Sequence, residues 1–554
     1  MKFQSTSQAM FKKFIFTSFI FLQLLNQLIY SQSNGFEVVK NLVLMDQVFQ
    51  NLEMYYVDEP QAGKMSKIAI DAMLKELDPY TVYYHESNIE DYRLMTTGQY
   101  GGIGALIRKI GDYTYIAEPY EGNPAAKAGL KAGDKIIAID GKTMFKVQSD
   151  DVSAALKGPK GTTIELEVER ENSGKQKISV TRDEIKLPDV PYSGMLTNGV
   201  GYIKLNSFTQ SAYTEIKKAF DELKSKGMNK LILDLRGNGG GLLIEAVKIV
   251  NMFVKKNQSI VTTKGRVAEE NRDYITLDEP LDLEIPLVVL VDHGSASASE
   301  IVSGSIQDLD RGVIIGTNSY GKGLVQRTYD MKYGSKIKLT VAKYYTPSGR
   351  CVQRLEYYDK AEGEKPKEIA DSLVKVFKTK NGRDVIDGRG IEPDVKIEEE
   401  ELSRLTATIY SNNLIFNYAT NYYYSHPSIA ESSTFSLSNE EYEAFKNYVL
   451  KEEFTYSTAS EEMLKKMKET AEKEGFYTDS KTEYDALMAK VVPSKERDLE
   501  KFKPEIKTLL ENEIVSRYYF QKGRAIYSFR EDNFVNKALE ILNDTKQYNT
   551  ILGN

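Results

Sequence analysis

The sequence predicts an α/β protein whose core contains parallel strands connected by helices. Three short apolar segments have the length and composition of buried strands: Leu231–Leu235, Pro286–Val291 and Val313–Gly316. The first precedes a Gly-rich loop and a helical stretch, Leu242–Phe253, and the second precedes a Ser/Ala-rich loop and a helical stretch that runs through Leu309. Repetition of strand, loop and helix favours a parallel sheet. Active sites in such proteins lie on the loops that leave the carboxyl ends of the strands.

Length, charge and cysteine content narrow the class of protein. A chain of 554 residues is too long for one compact core, so we expect two to four domains. The formal charge of -7, from 73 basic and 80 acidic residues, argues against nucleic acid or an anionic membrane surface as the main partner. Cys351 is the single cysteine, which excludes an intrachain disulfide and a thiolate metal cluster. We therefore predict no metal and no other cofactor.

The N-terminus has the layout of a secretory signal. Two lysines precede an apolar stretch, residues 14–25, and a polar, small-residue segment follows it at residues 31–33. An uncleaved membrane anchor is the alternative, but it would place Asn26 and Gln27 inside the apolar span. We predict a cleaved signal over residues 1–33 and export to the periplasm or cell envelope.

Before the core, the sequence predicts a helical region and then a β-rich module. We expect the helical region over residues 36–90, because apolar residues recur at helical spacing across Val38–Leu77. Residues 91–185 contain short strands separated by glycine turns, such as Lys135–Ile139 and Ile164–Glu169. This length is typical of one compact domain.

The core is expected over residues 190–400, and a helical domain over residues 401–554. The helical domain is rich in Glu, Lys and Tyr, with helical stretches at Glu440–Lys451 and Pro504–Tyr519. We see no catalytic grouping there and interpret it as a scaffold or docking domain. Its tyrosines suit either a homo-oligomer contact or a buried core.

The loop after the second buried strand carries three alternating serines. It runs from Asp292 to Glu300 with Ser297 in the middle, and its small residues allow a tight turn and the close approach of another chain. A serine at such a strand-to-helix turn is exposed, and the amides of the following helix point toward the group it attacks. Ser297 and Glu300 also form a capping box pattern, so the loop taken alone predicts a helix start as readily as a nucleophile.

A serine nucleophile needs a base, and Lys322 is the best candidate. It lies between two glycines just past the third strand, on the same edge of the predicted sheet. Among the three histidines, His293 is awkwardly close to Ser297 in sequence, and the other two lie in regions without active-site signals. Burial can keep a lysine uncharged, and a serine with a desolvated lysine is a known variant of the catalytic triad. Gln326, four residues later, is placed to orient Lys322 by a hydrogen bond.

Two further interpretations of the glycine-rich segments remain open. The Gly-Lys-Gly loop around Lys322 can also hold phosphate, although the Gly-x-x-x-x-Gly-Lys-Ser/Thr pattern is absent. The Gly-rich loop Asp234–Gly241 supplies backbone amides that, with the amide of Ala298, can stabilise an oxyanion. A turn that lets a helix pack closely is the alternative for that loop.

Together these motifs resemble the carboxyl-terminal processing peptidases, also called tail-specific proteases. The similarity covers roughly residues 36–396. Its motifs are Gly-Ser-Ala-Ser-Ala-Ser-Glu-Ile from Gly294, Tyr-Gly-Lys-Gly-x-Val-Gln from Tyr320, Leu-Arg-Gly-Asn-Gly-Gly-Gly from Leu235, Thr346–Arg350 and Gly390–Asp394.

The resemblance implies an activity and a set of site residues. The chain would be a serine endopeptidase with a ClpP/crotonase-like core, an inserted PDZ domain, and helical N- and C-terminal regions. Ser297 would be the nucleophile, Lys322 the base and Gln326 its assistant, with Gly241 (or a neighbouring glycine) and Ala298 forming the oxyanion hole. Asp292-His293 stands where an asparagine and a variable residue are common in the family, which leaves the role of His293 open.

The β-rich module resembles a PDZ domain, which binds the C-terminus of a peptide by strand addition and a nest of amides. The predicted partners are therefore proteins or peptides with free, apolar C-termini. Within this resemblance the groove residues are Gly101, Gly102, Ile103, Gly104 and Leu106, with Val152 and Leu156 facing the peptide from a helix, Asp150–Leu156.

Two rival hypotheses come from other functional classes. A non-catalytic PDZ scaffold would tolerate loss of the site, but Ser297, Lys322 and Gln326 are all present. An α/β enzyme acting on thioesters would also use a Gly-rich oxyanion loop, and the peptide-binding module argues against it.

Overall fold

The computed structural model describes residues 35–86, 89–171, 173–358, 364–398 and 401–553. The predicted signal, residues 1–33, lies outside the described residues. The chain divides into two compact units, Met1–Tyr83 and Tyr84–Asn554. Among the described helices, none combines the length and apolar character needed to span a membrane.

The first unit contains two helices where the sequence predicted one continuous stretch, Val38–Leu77. Helix α1 covers residues 35–55 and α2 spans Ala62–Lys75. Pro60 lies in the break, where its missing N–H and its ring oppose a continuous helix. Strand β1 follows at Val82–Tyr84, on the boundary between the units.

The β-rich module is an antiparallel sheet with strand order β3-β4-β5-β7-β8, to which β6 adds by pairing with β5. Strands β2 and β9 form a separate two-stranded ladder. Alternate residues of the strands, such as Ile164, Leu166 and Val168, point inward and are almost completely buried. The elements are α3 Ile89–Thr97, β2 Gln99–Gly102, β3 Ala105–Ile110, β4 Tyr113–Pro119, α4 Pro124–Lys127, β5 Lys135–Ile139, β6 Lys142–Thr143, α5 Ser149–Leu156, β7 Thr163–Arg170, β8 Gly174–Thr181 and β9 Asp183–Lys186.

The core is built on a six-stranded sheet with strand order β10-β11-β12-β15-β16-β23. Every neighbouring pair is parallel except β10 with β11, which confirms the predicted α/β class. The elements on and around this sheet are β10 Tyr192–Met195, β11 Val200–Lys204, α6 Ala212–Ser225, β12 Lys230–Asp234, α7 Leu243–Asn251, β15 Leu287–Val291, α8 Ala298–Asp308, β16 Val313–Gly316 and β23 Val395–Lys396.

A second sheet lies beside the first. Its strands β17, β18, β13 and β14 are antiparallel neighbours in that order. The bounds of these strands and of two small hairpins are β13 Ser259–Gly265, β14 Arg272–Ile275, β17 Leu324–Asp330, β18 Lys336–Tyr345, β19 Leu355–Glu356, β20 Lys367–Glu368, β21 Val376–Lys378 and β22 Asp384–Ile386.

The residues after 401 form helices, most of which enclose a hydrophobic cluster of their own. Tyr442 and Phe445 are completely buried in that cluster. The longest helix, α15, continues beyond the predicted stretch and is interrupted at Phe520, where φ is 52° and ψ is -156°. The helices are α9 Arg404–Ser411, α10 Leu414–Ser425, α11 Asn439–Lys451, α12 Ala459–Glu474, α13 Tyr477–Val491, α14 Lys495–Lys501, α15 Lys503–Ser528, α16 Asn533–Asn543 and α17 Thr545–Ile551.

The last two helices complete the α/β core, which differs from the single helical domain expected over residues 401–554. In β15, Leu287 and Val289 face α6, α7 and α8, whereas Val288 and Leu290 face α16 and α17. Parallel strands are apolar on both faces and need cover on both. The C-terminal helices supply the second layer, and the Tyr548 hydroxyl hydrogen-bonds both the N–H and the carbonyl of Leu287 (3.0 and 3.2 Å).

Candidate active site

Ser297 occupies a sharp turn between strand β15 and helix α8. Its φ of 58° and ψ of -111° lie in a region that residues other than glycine rarely adopt. The strand before it and the whole of α8 after it are buried, whereas Ser297 itself is only half-buried. The fold therefore holds a strained serine at the surface end of a rigid element.

The two flanking serines have a structural role. The Ser295 hydroxyl donates to the Leu235 carbonyl at 2.9 Å, and the Ser299 hydroxyl donates to the Asn238 carbonyl at 2.8 Å. Both serines are completely buried. They fasten the serine loop to the Gly-rich loop, so of the three alternating serines the central one is the exposed candidate.

The two loops approach each other so closely that Gly240 has no room for a side chain. A Cβ at Gly240 would lie 2.6 Å from the Ala296 carbonyl oxygen and 2.9 Å from the Ala298 amide nitrogen. Asp292 adds a second link, because its Oδ1 accepts the Gly237 N–H at 2.8 Å. The sequence predicted that these loops share an edge of the sheet, and the contacts place them side by side.

Two backbone amides beside Ser297 are available for an oxyanion. Among the residues that the structure describes, neither the Gly241 N–H nor the Ala298 N–H donates a hydrogen bond. The Gly240 N–H, in contrast, donates to the Asn238 side chain at 2.9 Å. This difference favours Gly241 over its neighbour as the partner of Ala298.

Glu300 joins the serine loop to the lysine loop through one buried carboxylate. Its Oε2 accepts the N–H groups of Ser297 and Lys322 at 2.8 and 2.9 Å. Its Oε1 accepts the Ser319 hydroxyl and the Gly321 N–H at 2.6 and 2.7 Å. Burial raises the pKa of Glu300, and these hydrogen bonds act in the opposite direction.

Because the N–H groups of Ser297 and Lys322 bond the same oxygen of Glu300, their backbone nitrogens can be no further apart than the sum of those two bond lengths. The sequence presented Glu300 only as part of a capping box, because nothing in a capping pattern reveals a second loop at the same carboxylate. The role of Glu300 as a bridge was missed for that reason.

Lys322 is half-buried, and the glycines on either side of it are required by the segment that crosses behind them. A Cβ at Gly321 would lie 2.5 Å from the Arg354 Cβ, and a Cβ at Gly323 would lie 2.8 Å from the Gln353 nitrogen. Gln326 stands on β17, where its amide donates to the Thr340 hydroxyl at 3.2 Å.

The second sheet also contacts the serine loop directly. The Tyr344 hydroxyl, on β18, donates to the Ser297 carbonyl at 3.2 Å. His293 lies exposed on the serine loop, four residues before Ser297.

A charge cluster lies at the start of the Gly-rich loop, around the buried carboxylate of Asp234. It accepts hydrogen bonds from the Tyr202 hydroxyl at 2.5 Å, from Lys204 Nζ at 3.2 Å and from Arg236 Nη2 at 2.6 Å. Burial alone would raise the pKa of Asp234, but the charges of Arg236 and Lys204 and these hydrogen bonds hold the pKa at about 2.

The opposite end of α8 carries a second buried network. Arg350 is completely buried, and it pairs with Asp308 at 2.8 Å and donates to Gln307 Oε1 at 2.6 Å. Gln307 in turn donates to Asp394 Oδ1 at 2.9 Å. Arg350 and Asp394, the last residues of two predicted motifs, thus meet at the end of the helix that is remote from Ser297. Ile391, in contrast, donates its N–H to the Ser319 hydroxyl oxygen at 2.6 Å, beside Glu300.

In the β-rich module, strand β3 is an edge of its sheet, the position at which another strand can add. Leu106, on this strand, is 49% exposed. Val152 and Leu156, however, are 0% and 5% exposed and belong to the core of the module, which corrects the prediction that both face a peptide. The reason is that α5 packs across the sheet with these two residues, one turn apart, on its inner face.

The predicted carboxylate nest is partly engaged within the chain. The Gly101 N–H donates to Glu90 Oε2 at 2.8 Å, and Gly101 and Gly102 pair with β9. Ile103 is 3% exposed, and Gly104, with φ of 73°, adopts a conformation that favours glycine.

A cavity of about 580 Å³ connects this module with the serine loop. Its walls include Leu106 on the edge strand, Gly237 and Asp292 beside the site, and Arg524 on α15. Three regions of the second unit therefore enclose the space between the edge strand and the site.

Comparisons with known protein families match three parts of the chain. Residues 199–357 match "Peptidase family S41", residues 115–170 match "PDZ domain", and residues 405–542 match "Probable PDZ-protease, C-terminal helical domain".

Curated relatives carry related descriptions. A "Carboxy-terminal-processing protease" of Bartonella bacilliformis is 36% identical over 329 residues, which are 58% of this chain and 74% of that protein. A "Probable CtpA-like serine protease" of Staphylococcus aureus strain N315 is 35% identical over 315 residues, which are 56% of this chain and 62% of that protein. A solved "photosystem II D1 C-terminal processing protease" is 29% identical, covers 64% of this chain and 88% of its own, and has a TM-score of 0.36.

The family matches follow the order of the regions described above, with the PDZ match in the β-rich module and the peptidase match across both loops. The resemblance inferred from the motifs is confirmed. The chain belongs to peptidase family S41, as a carboxy-terminal-processing serine protease with a PDZ domain.

Proposed function

We propose that the chain is a serine endopeptidase in which Ser297 attacks a peptide carbonyl and Lys322 accepts the hydroxyl proton. The observation that carries this proposal is the shared carboxylate oxygen of Glu300, which binds the N–H groups of both residues. A serine hydroxyl is a weak nucleophile, so a base held this near by the backbone is what the chemistry requires.

The reaction has two halves. Ser297 Oγ forms a bond to the carbonyl carbon as its proton moves to Lys322 Nζ, and the carbonyl oxygen becomes negatively charged. When the intermediate collapses, the peptide C–N bond breaks and the protonated lysine gives its proton to the leaving amine. Water then attacks the acyl-enzyme with the same lysine as base, which releases the carboxylic acid and restores Ser297.

Gly241 and Ala298 are proposed to donate to the negatively charged oxygen. Their N–H groups have no partner among the described residues and lie on the two loops that meet at Ser297. Loss of one such donor typically costs about 2.7–4 kcal/mol of transition-state stabilisation. Gln326 is proposed to orient Lys322 from β17.

Substrate choice is proposed to depend on a free, apolar C-terminus that adds to strand β3. Exposed Leu106 on an edge strand and the neighbouring glycine turn at Gly102–Gly104 support this proposal. The cavity lined by Leu106, Gly237 and Asp292 supports a path for an extended chain from the module toward the serine loop. Export through a cleaved signal over residues 1–33 remains part of the proposal, and the mass of the mature N-terminus would test it.

The test offers the protein an unfolded substrate with a free apolar C-terminus. Ser297→Ala and Lys322→Ala should each abolish cleavage, while both variants still bind a peptide with the same C-terminus. Lys332→Ala, which removes an exposed lysine from the turn between β17 and β18, is the matched control and should keep full activity. Amidation of the substrate terminus should weaken its docking to the wild type.

Two outcomes would contradict the proposal. Peptide binding without cleavage by the wild type would favour a non-catalytic scaffold. Hydrolysis of thioesters in place of peptides would favour an acyl-transfer enzyme.

A further inference from the structure

The Gly-rich loop is held by a residue from outside the peptidase match. Arg236, two residues after the end of β12, makes two parallel hydrogen bonds to the carboxylate of Asp532, at 3.0 and 2.8 Å. Asp532 lies between α15 and α16, 296 residues further along the chain. Paired bonds of this kind fix both the distance and the plane of a guanidinium group.

The start of α16 surrounds the arginine on two sides. Asp532 Oδ1 also accepts the N–H groups of Phe534 and Val535, at 3.0 and 3.1 Å, and so caps α16. The Arg236 guanidinium lies over the Phe534 ring, 4.9 Å from its centre. Because α16 packs on the core sheet, this contact is anchored to the same sheet that carries the loop.

The charges in this cluster balance only when Asp532 is included. Lys204 and Arg236 are the cations, and Asp234 and Asp532 are the anions. The side chains of Arg236 and Asp532 are 19% and 12% exposed, so solvent screens them only in part. Without Asp532, the loop would begin at a partly buried excess of positive charge.

The loop itself has few side chains that could fix its path. Residues 237–241 include four glycines, which have the greatest conformational freedom of any residue. Asn238 anchors the middle by donating to the Leu205 carbonyl at 2.9 Å, and Leu242 anchors the far end by donating to the Phe208 carbonyl at 2.7 Å. At the near end, Asp292 and Ser295 bind the loop from the serine side, and Arg236 adds an anchor that reaches the C-terminal helices.

We propose that Asp532 is a positioning residue for the oxyanion loop, and that it acts through Arg236 to fix the direction of the Gly241 N–H. The inference rests on the proposed function, because it assumes that Gly241 donates to the charged oxygen. It assigns to the C-terminal helical region a part in catalysis, in addition to its part in covering the sheet.

The test uses Asp532→Asn and Asp532→Ser, which both keep an oxygen to cap α16 and both remove the charge. Rates are normalised to active sites counted with a covalent serine reagent. We expect kcat per active site to fall about tenfold or more with KM within about twofold, because a misaligned oxyanion donor acts on the transition state. Asp532→Glu, which restores the charge, should recover most of the loss.

A second measurement separates positioning from general damage to the fold. A peptide aldehyde places a charged oxygen in the oxyanion hole, so its affinity should fall by the same factor as kcat/KM. The affinity for a product peptide that ends in an uncharged amide should stay constant. Asn543→Ala is the matched control, because it removes the bond of 2.8 Å from Lys230 to the other end of α16. It should leave kcat per active site unchanged.

The proposal is overturned if Asp532→Asn keeps wild-type kcat per active site and wild-type aldehyde affinity, or if Asn543→Ala lowers both as much. A wild type that does not cleave, or a Ser297→Ala variant that still does, would instead overturn the proposed function.

Discussion

The two ends of helix α8 are both built around a buried carboxylate, yet they serve different purposes. At the N-terminal end, Glu300 collects backbone N–H groups and a hydroxyl from two loops beside Ser297. At the C-terminal end, Asp308 pairs with the side chain of a completely buried Arg350. Backbone donors fix the course of the loops that present reactive groups, whereas a buried ion pair between side chains fixes the packing of elements. The serine-loop motif with Glu300 therefore shapes the site, whereas the Thr346–Arg350 motif holds the helix in place. In the sequence the two motifs are equally prominent.

The largest expected effect is on stability, at the C-terminal end. Arg350→Met leaves Asp308 buried without its partner, so we expect the free energy of unfolding to fall by about 3–5 kcal/mol, measured by urea denaturation. The kcat per active site of the folded fraction should stay within about threefold of the wild type. Arg389→Met is the control, because its partner Asp371 is exposed and such pairs contribute less than about 1 kcal/mol. A large loss of kcat with little loss of stability would reverse the comparison.

The next effect is on activity, at the N-terminal end. Glu300→Gln replaces one acceptor oxygen with an NH2 group that faces two donors, so the serine and lysine loops should separate. We expect kcat to fall about a hundredfold, equivalent to about 2.7 kcal/mol, in a steady-state cleavage assay.

Glu441→Gln is a matched control for that prediction. Glu441 accepts the Ser438 N–H at 2.7 Å in a capping box on α11, in the C-terminal helical region, and its other oxygen accepts the Tyr422 hydroxyl at 2.6 Å. Its substitution should change stability by about 1 kcal/mol or less and leave kcat unchanged. Equal activity losses in the two variants would show that the bridge between loops is unimportant.

Asp234, beside the N-terminal end of α8, should make the free energy of unfolding depend on pH by about 2 kcal/mol. Its pKa is held at about 2, below the ordinary 3.8, so its contribution to stability is fully present above pH 4. That contribution is lost as pH falls from about 4 to 2, because the folded state must then bind a proton it disfavours. Asp234→Asn should flatten the pH dependence of the unfolding free energy over this interval, and an unchanged curve would contradict the assignment.

The smallest expected effect concerns two serines of the same loop, Ser299 and Ser297. Ser299→Ala removes one of two donors to the Asn238 carbonyl, which keeps the Ala296 N–H at 3.0 Å, and should cost about 1 kcal/mol of stability. Ser297→Ala removes the N-cap side chain of α8, so it should cost a similar amount of stability, but unlike Ser299→Ala it should abolish cleavage. Thermal unfolding and product release, measured on both variants, would check this difference. A Ser299→Ala variant that is inactive but fully stable would contradict it.

Much of the architecture near the site was predictable because local sequence determines it. Val313–Gly316 is β16, and the helix after Ser297 starts where the capping pattern predicts. Apolar runs bounded by glycine loops have few alternatives to buried parallel strands. Ser297, Lys322 and the Gly-rich loop fall at the same edge of the sheet for this reason.

The remainder depended on contacts between residues far apart in the chain. The pair of Arg236 with Asp532 has no local signal, because neither residue stands in a pattern that names its partner. The same holds for α16 and α17, whose apolar stripes do not reveal which sheet they cover. Val152 and Leu156 were misassigned because helical spacing identifies an apolar face without saying whether that face meets a ligand or a core.

The cover that α16 and α17 place on the sheet has a consequence for biosynthesis. A ribosome that has completed residues 190–400 has made every strand of the core, but not the layer that buries Val288 and Leu290. A nascent peptidase therefore cannot finish its own core, or seat Asp532 against Arg236, until the helical region has emerged. We therefore expect proteolytic competence only after α16 and α17 have packed on the sheet.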